Sequence, residues 1–320
     1  MQITRLPLSP EEGDVERRDR EVAVGTFDGV HLGHREVIRG ADSVLTFDPH
    51  PATVLTPQRA PRLLTSLERK AELIAGLGVR ELIVIPFDAA FAQRSAEEFI
   101  EGVLLGTLRA RRVSVGANFH FGRRAQGSPA MLLAQGRLST TVHELLEIDG
   151  EVVSSSRIRE LVLAGEVARA GELLGAPLRI EGEVLHGDRR GRELGFPTAN
   201  LLPDPRMATP ARGVYACLAP GGPKPGDTRL RRESPFRPAA VNIGVRPTFQ
   251  TDGGELIEAH LIDFSGELYG ERLKLDFIAR LREERRFESA QALIEQMRLD
   301  VQEARALAGA WTGSATVPDP

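Results

Sequence analysis

The strongest constraint on the fold is a change of periodicity near Gly175-Ala176-Pro177. Upstream, short apolar runs alternate with stretches of helical spacing. Downstream, strand patterns follow one another with only turn residues between them. In the first part, residues 21–26 (EVAVGT), 43–47, 80–86 and 112–116 read as buried strands. Between them, Leu67, Ala71 and Ile74 share one face of a helix over 66–76, and Gly78 follows as a stop. Ser95-Ala96-Glu97-Glu98 forms a capping box with Phe99, Val103 and Leu104 behind it. Alternation of this kind predicts an α/β domain with a Rossmann-like parallel sheet, whose ligands bind beyond the carboxyl ends of the strands. In the second part, strands are expected at 179–185, 213–218, 239–243, 256–264 and 272–278, which suggests a small antiparallel β-barrel. Leu293, Met297 and Val301 mark a closing helix at about 289–307. The expected domains are 1–177 and 178–311, followed by a disordered tail, 312–320. Residues 220–238, rich in Pro, Gly and Arg, read as an exposed, mobile hairpin loop. No internal repeat is seen.

Bulk properties narrow the function. A chain of 320 residues with 41% hydrophobic content can bury a core in each of two domains. The net charge of -4 argues against a general nucleic-acid binder, which needs a basic excess. The one cysteine, Cys217, leaves neither a disulfide framework nor a cysteine-based zinc site. The first twenty residues are charged and lack the apolar run of a secretory signal, and no stretch is apolar enough to span a membrane. The expectation is a cytoplasmic protein without nucleic-acid or membrane partners. The oligomeric state is left open.

Each half carries its own phosphate-handling pattern. In the first, Gly25-Thr26-Phe27-Asp28-Gly29-Val30-His31-Leu32-Gly33-His34 follows an apolar strand. A helix starting near Gly33 would offer free N–H groups to phosphate, and His31 and His34 can hydrogen-bond a triphosphate and steady developing charge. Gly25, Gly29 and Gly33 would let the backbone approach a nucleotide. Asp28, Asp48, His50 and Asn118 are compatible with the same cleft. Downstream, Ser154, Ser155 and Ser156 precede a helical pattern, either as a plain cap or as phosphate donors, and Arg157 and Arg159 could clamp phosphates or be solvated. A different reading makes Asp28, His31, His34, Asp48 and His50 the metal cluster of a hydrolase. Their spacing is not that of a helical His-Glu-x-x-His site. Residues 35–45 between this motif and the next strand are at the lower limit of about 10–12 residues for a parallel crossover.

In the second half, Gly187, Gly191 and Gly195 with Arg189, Arg190 and Arg192 make a glycine-rich basic loop able to wrap phosphates. Thr198 and Asn200 are hard oxygen donors suited to Mg²⁺; alternatively they form a surface turn. On the strand pattern that follows, Ile257, Ala259 and Leu261 would face the core, and Glu258 and His260 the other side. Glu258 could take a proton from a substrate hydroxyl attacking a γ-phosphate, or be merely solvated.

Residues 25–34 resemble the His-x-Gly-His signature of the nucleotidylyltransferase superfamily. Together with Thr46-Phe47-Asp48-Pro49-His50-Pro51, Val115-Gly116-Ala117-Asn118-Phe119-His120-Phe121-Gly122 and the 154–159 segment, the match narrows. It resembles the adenylyltransferase half of the prokaryotic bifunctional riboflavin kinase/FMN adenylyltransferases, or FAD synthetases. The 182–201 segment, Gly213-Val214-Tyr215-Ala216, Val241-Asn242-Ile243-Gly244-Val245-Arg246-Pro247-Thr248-Phe249, 258–264 and Leu268-Tyr269-Gly270 resemble the riboflavin kinase module in order. The resemblance covers roughly 22–305 apart from the 220–238 stretch.

It implies that riboflavin and ATP give FMN in the barrel, and that FMN and ATP give FAD and pyrophosphate in the first domain. It implies ATP contacts at Gly25, Phe27, Asp28, His31, Gly33, His34, Asn118, Ser155, Ser156 and Arg159, and in the barrel at Gly187 and Arg192. Flavin contacts would lie at Asp48, Pro49, His50 and Asn118, Mg²⁺ at Thr198 and Asn200, and the kinase base at Glu258. Competing readings are a kinase with a scaffold first half, and a non-catalytic flavin or RNA binder using Arg229-Leu230-Arg231-Arg232 and Arg285-Arg286.

Overall fold

The computed structural model describes residues 1–6, 16, 18–186, 191, 194–220, 236–245 and 255–311. By contacts the chain divides into a unit ending at Arg157 and a unit beginning at Ile158. The change of sequence pattern lies further on, at 175–177, because two helices precede the first barrel strand.

The first unit holds a six-stranded sheet, all of whose pairings are parallel. Its strands are β1 (Gln2–Arg5), β2 (Arg20–Val24), β3 (Ser43–Asp48), β4 (Glu81–Pro86), β5 (Ala110–Gly116) and β6 (Ser139–His143), in the order β1-β4-β3-β2-β5-β6. The central strands are continuous apolar runs because both faces are covered. Alternation along them feeds two cores. Val22, Val24, Leu45, Ile83 and Ile85 pack on one side; Ala23, Val44, Leu82 and Val84 pack on the other. From β2 the chain goes to β3 on one side, and β5 lies on the other. The carboxyl ends of β2 and β5 therefore flank a topological switch point.

Short helices connect the strands: α1 (Leu32–Ile38), α2 (Pro51–Leu55), α3 (Leu67–Ala75), α4 (Ala96–Glu98) and α5 (Pro129–Leu133). The brief 35–45 crossover closes because α1 takes its first turn from the histidine motif itself, and Val22 still pairs with Ser43. The capping box is present: Ser95 Oγ accepts from Glu98 N at 3.1 Å, and Glu98 Oε2 accepts from Ser95 N at 2.6 Å. The helix it opens widens at once into a π-helix, Phe99–Thr107, which still buries Phe99, Ile100, Val103 and Leu104. A small hairpin, β7 (Glu147–Ile148) and β8 (Glu151–Val152), precedes α6 (Ser155–Ala164).

The second unit contains most of α6, then α7 (Val167–Leu174) and a closed six-stranded barrel. Its strands are β9 (Leu178–Leu185), β10 (Ala199–Leu201), β11 (Gly213–Pro220), β12 (Phe236–Val245), β13 (Glu255–Leu261) and β14 (Arg272–Arg282). They close in the order β10-β13-β12-β11-β14-β9, all antiparallel. Tyr215, Cys217, Val241, Ile243, Ile257, Leu275 and Phe277 fill the interior. The closing helix α8 (Ala290–Ala310) starts at an N-cap, Ser289, and packs on β11, β12 and β14. Its buried Asp300 takes a bidentate bond from Arg282 of β14, at 2.7–3.2 Å. The loop read over 220–238 joins β11 to β12; its residues 221–235, like the tail 312–320, lie outside the described residues.

Candidate active sites

A cavity of about 850 Å³ opens at the carboxyl edge of the parallel sheet. The turn after β2 forms one wall. Its conformation is costly: Phe27 and Val30 have φ of 48° and 43°, and for a β-branched residue that is a strained geometry. Hydrogen bonds hold it. Asp28 Oδ1 accepts from Leu64 N (2.9 Å) and Thr65 N (3.2 Å), Gly29 N donates to Thr65 Oγ1 (3.0 Å), and Ser155 Oγ donates to Asp28 O (2.8 Å). Asp28 is thus an anchor of the turn, and it is not among the residues lining the cavity.

His31 and His34 both line the cavity, with rings stacked at 3.5 Å. His31 is also the N-cap of α1: its Nδ1 accepts from His34 N at 3.2 Å. A nitrogen that accepts carries no proton, so the neutral ring holds its proton on Nε2 and can donate from there. Burial, with help from Arg35, pushes the His31 pKa down to about 4. Burial, then His31 and Lys70, push that of His34 well below its ordinary value. Both rings are neutral N–H donors at neutral pH. Among the described residues His34 Nδ1 is buried without a partner.

Gly25, Phe27, Gly33, Asn118, Ser155 and Ser156 line the same cavity. Ser154 lines the cavity too, and its Oγ also caps α6 by accepting from Arg157 N (3.2 Å). Arg157 pairs with Glu151, and Arg159 lies further along α6, in the second unit. Asp48, Pro49 and His50 sit beside the lining residues Phe47 and Pro51 but do not themselves line the cavity. Asp48 lies 3.6 Å from Arg5, and His50 Nδ1 caps α2 through Ala52 N. Among the described residues, no three His, Cys, Asp or Glu side chains are placed to hold a metal. Nδ1 of His31, Nδ1 of His50 and Oδ1 of Asp28 each accept from backbone N–H instead.

The cavity also has an aromatic wall of Phe47, Phe87, Phe91, Phe99, Phe119 and Phe121, with Arg94, Arg123 and Arg124 beside it, none of which the sequence alone marks as functional. The phenylalanines come from β3 (Phe47), from the π-helix (Phe99) and from segments between the named elements, so no single periodicity in the sequence groups them. An apolar wall with a few cations suits a flat aromatic ring bearing phosphate.

In the barrel, the candidate residues form a row across three strands. Asn200 of β10 pairs with Glu258 of β13, and Glu258 with Asn242 of β12. Asn242 Nδ2 donates to Glu258 Oε2 at 3.3 Å. Ala199, Leu201, Ile257, Ala259 and Leu261 are buried, whereas Thr198, Asn200, Glu258 and His260 face the other way and are half-buried, as the alternation requires. His260 Nδ1 donates to Pro197 O (2.9 Å) and fixes the approach to β10.

The residues present fit Mg²⁺ on one observation. Asn200 Oδ1 is buried and accepts no hydrogen bond among the described residues, which is costly for a carbonyl unless a ligand completes it. Gly191 lies against the same segment: a Cβ there would collide with Phe196 O and come within 3.3 Å of Thr198 Oγ1. Gly187, Arg189, Arg190 and Arg192 lie outside the described residues. Asn242, quoted within a motif but given no role from sequence, is legible only once register puts it beside Glu258.

Known proteins match both halves. Residues 14–157 match the FAD synthetase family model, and residues 174–308 the riboflavin kinase model. A bifunctional riboflavin kinase/FMN adenylyltransferase of Listeria monocytogenes is 35% identical over 90% of this chain and 92% of its own. Those of Pseudomonas fluorescens and Escherichia coli K12 are 37% and 34% identical, over 92% and 96% of this chain and 94% and 96% of theirs. A crystal structure from Streptococcus pneumoniae, described as a macrolide-efflux protein, is 28% identical and covers 98% of this chain and 100% of its own, with a TM-score of 0.82. With two adjoining family models and relatives matched nearly end to end, the chain belongs to the bifunctional riboflavin kinase/FMN adenylyltransferases.

Proposed function

We propose that the two reactions are divided between the two folds, with functional domains at 1–177 and 178–311. The barrel phosphorylates the terminal ribityl hydroxyl of riboflavin with ATP, giving FMN and ADP. The parallel-sheet domain then joins FMN to the α-phosphorus of a second ATP, giving FAD and pyrophosphate.

In the barrel, Glu258 accepts the hydroxyl proton as that oxygen attacks the γ-phosphorus. Asn242 holds one carboxylate oxygen and so turns the other to the substrate. Thr198 and Asn200 would hold Mg²⁺, which when bound neutralises charge on the β- and γ-phosphate oxygens. In the first domain no side chain acts as nucleophile. The FMN phosphate attacks, and placement with charge stabilisation supplies the rate. His31 and His34 donate N–H to the triphosphate, and Asn118, Ser155 and Ser156 fix nucleotide and flavin. Asp28 acts indirectly, through the turn it anchors. The aromatic wall receives the isoalloxazine, with Asp48, Pro49 and His50 at its rim.

The observation that carries the division is the row Asn200–Glu258–Asn242 in the barrel, remote in sequence from the histidine pair, which belongs to the other compact unit. The enzyme is assigned to the cytoplasm, acting on small molecules. No helix among the described residues is long and apolar enough to cross a membrane. A chromatographic time course with riboflavin, ATP and Mg²⁺ tests the reading. FMN followed by FAD is expected; FMN alone would leave only the kinase, and no product would overturn both.

A further inference from the structure

The turn that walls the first cavity rests on a cation to which the roles above assign nothing. Lys70 lies on the buried face of α3 with Ala71, Leu73 and Ile74, and is 7% exposed. Burying an ammonium is costly unless a counter-charge meets it. Yet its hydrogen bonds go to neutral groups, Thr26 O at 2.7 Å and Thr46 Oγ1 at 3.5 Å, and no carboxylate among the described residues pairs with it within 4.0 Å. The acids whose fields reach it are Asp28, tied to the 64–65 backbone, and Asp48, beside Arg5. Burial lowers the lysine's pKa, and both acids oppose that shift.

The need for a donor does not explain this charge. Thr46 Oγ1 already donates to the same Thr26 carbonyl at 3.0 Å. Thr26 lines the cavity together with His31, His34, Ser155 and Ser156, so the ammonium lies one peptide group beneath that wall. A polyanion in the cavity would complete it electrostatically, in a site where water screens little.

We propose that Lys70 is a positioning residue of adenylyl transfer: acting through the Thr26 peptide, it supplies the buried positive charge that holds the triphosphate and the departing pyrophosphate. The proposal rests on the adenylyltransferase reading. The groups whose fields couple to Lys70 are Asp28, Asp48 and His34; Arg69 is its neighbour on α3, and Arg35 acts on His31 and feels Arg69.

The test measures FAD formation from FMN and ATP by the full chain, as wild type and as Lys70→Met, which keeps the apolar stem and drops the charge. Pyrophosphate and adenosine serve as separate inhibitors. The inhibition constant of pyrophosphate is expected to rise about tenfold in the variant, with that of adenosine within about twofold. Equal changes for both inhibitors would mean a structural role only, and no change for either would remove the charge from the site; both overturn the proposal. If Lys70→Met does not fold, Lys70→Gln, which retains an amide donor for Thr26 O, carries the same comparison. Failure of both variants to fold would make the lysine purely architectural and also overturn it. A wild type that forms no FAD overturns the adenylyltransferase reading itself; a wild type that forms FAD, with inhibition unchanged in the variant, overturns this proposal alone.

Discussion

The two candidate sites are built on opposite principles. In the first unit the groups sit on the turn after β2 and on the first turns of α1 and α6, and the β2 turn keeps Phe27 and Val30 at unfavourable φ with anchors from residues 64, 65, 70 and 155. In the barrel they sit on the strands, and sheet register spaces them. A turn can bring many N–H groups and a deep aromatic wall around a large ligand pair, but it depends on what lies beneath it. A strand row offers few groups with little freedom to move. The first site should therefore respond to buried changes at a distance, and the second mainly to changes within the row.

The largest effects test whether the sites are separate. Glu258→Ala should lower FMN formation by about 10²–10⁴-fold while FAD formation from supplied FMN continues. His31→Ala should do the reverse, abolishing FAD formation and sparing the kinase, and should also cost about 1 kcal/mol of first-unit stability through the lost cap. Loss of both activities from either change in a folded protein would break the two-site picture. A smaller effect sharpens it. Asn242→Ala should reduce kinase kcat by about tenfold with little change in KM for ATP, because Glu258 loses the bond that orients it; an unchanged kcat would remove Asn242 from the site.

The smallest effect concerns pH. The His31 pKa falls from 6.5 unfolded to about 4 folded, and that of His34 is also lowered. The unfolded chain therefore binds more protons between these values. The first unit keeps this contribution above about pH 6.5 and loses stability as pH falls towards 4. Amide exchange at α1 followed over that range would show the trend, and flat protection would contradict it.

Much of the fold was legible because long elements repeat their signal. Residues 43–47, 80–86 and 239–243 are apolar runs, and the 66–76 and 289–307 helices have caps and clear spacing. β10 gives no strand signal in the sequence, since three residues hold no period. β6, Ser-Thr-Thr-Val-His, is a half-buried edge whose polarity hides it. The widening of the 99–107 helix leaves no mark in a pattern of apolar residues. At the sites, composition and order revealed which groups could act, but not which way they turn. Asp28 and His50 look like ligands in the sequence, and only the folded chain shows the backbone N–H groups they serve. Lys70 falls within an ordinary helical stretch, and nothing local marks it as buried.

β10 also has a mechanical meaning. This three-residue strand is the seam where the barrel meets itself, bonded to β9 on one edge and β13 on the other. It carries Asn200, whose buried oxygen has no partner among the described residues. Anything gripping that oxygen pulls on the seam. Opening the barrel and releasing the ligand become two views of one equilibrium, so the fastening of the sheet and the grip on the phosphoryl donor should loosen together.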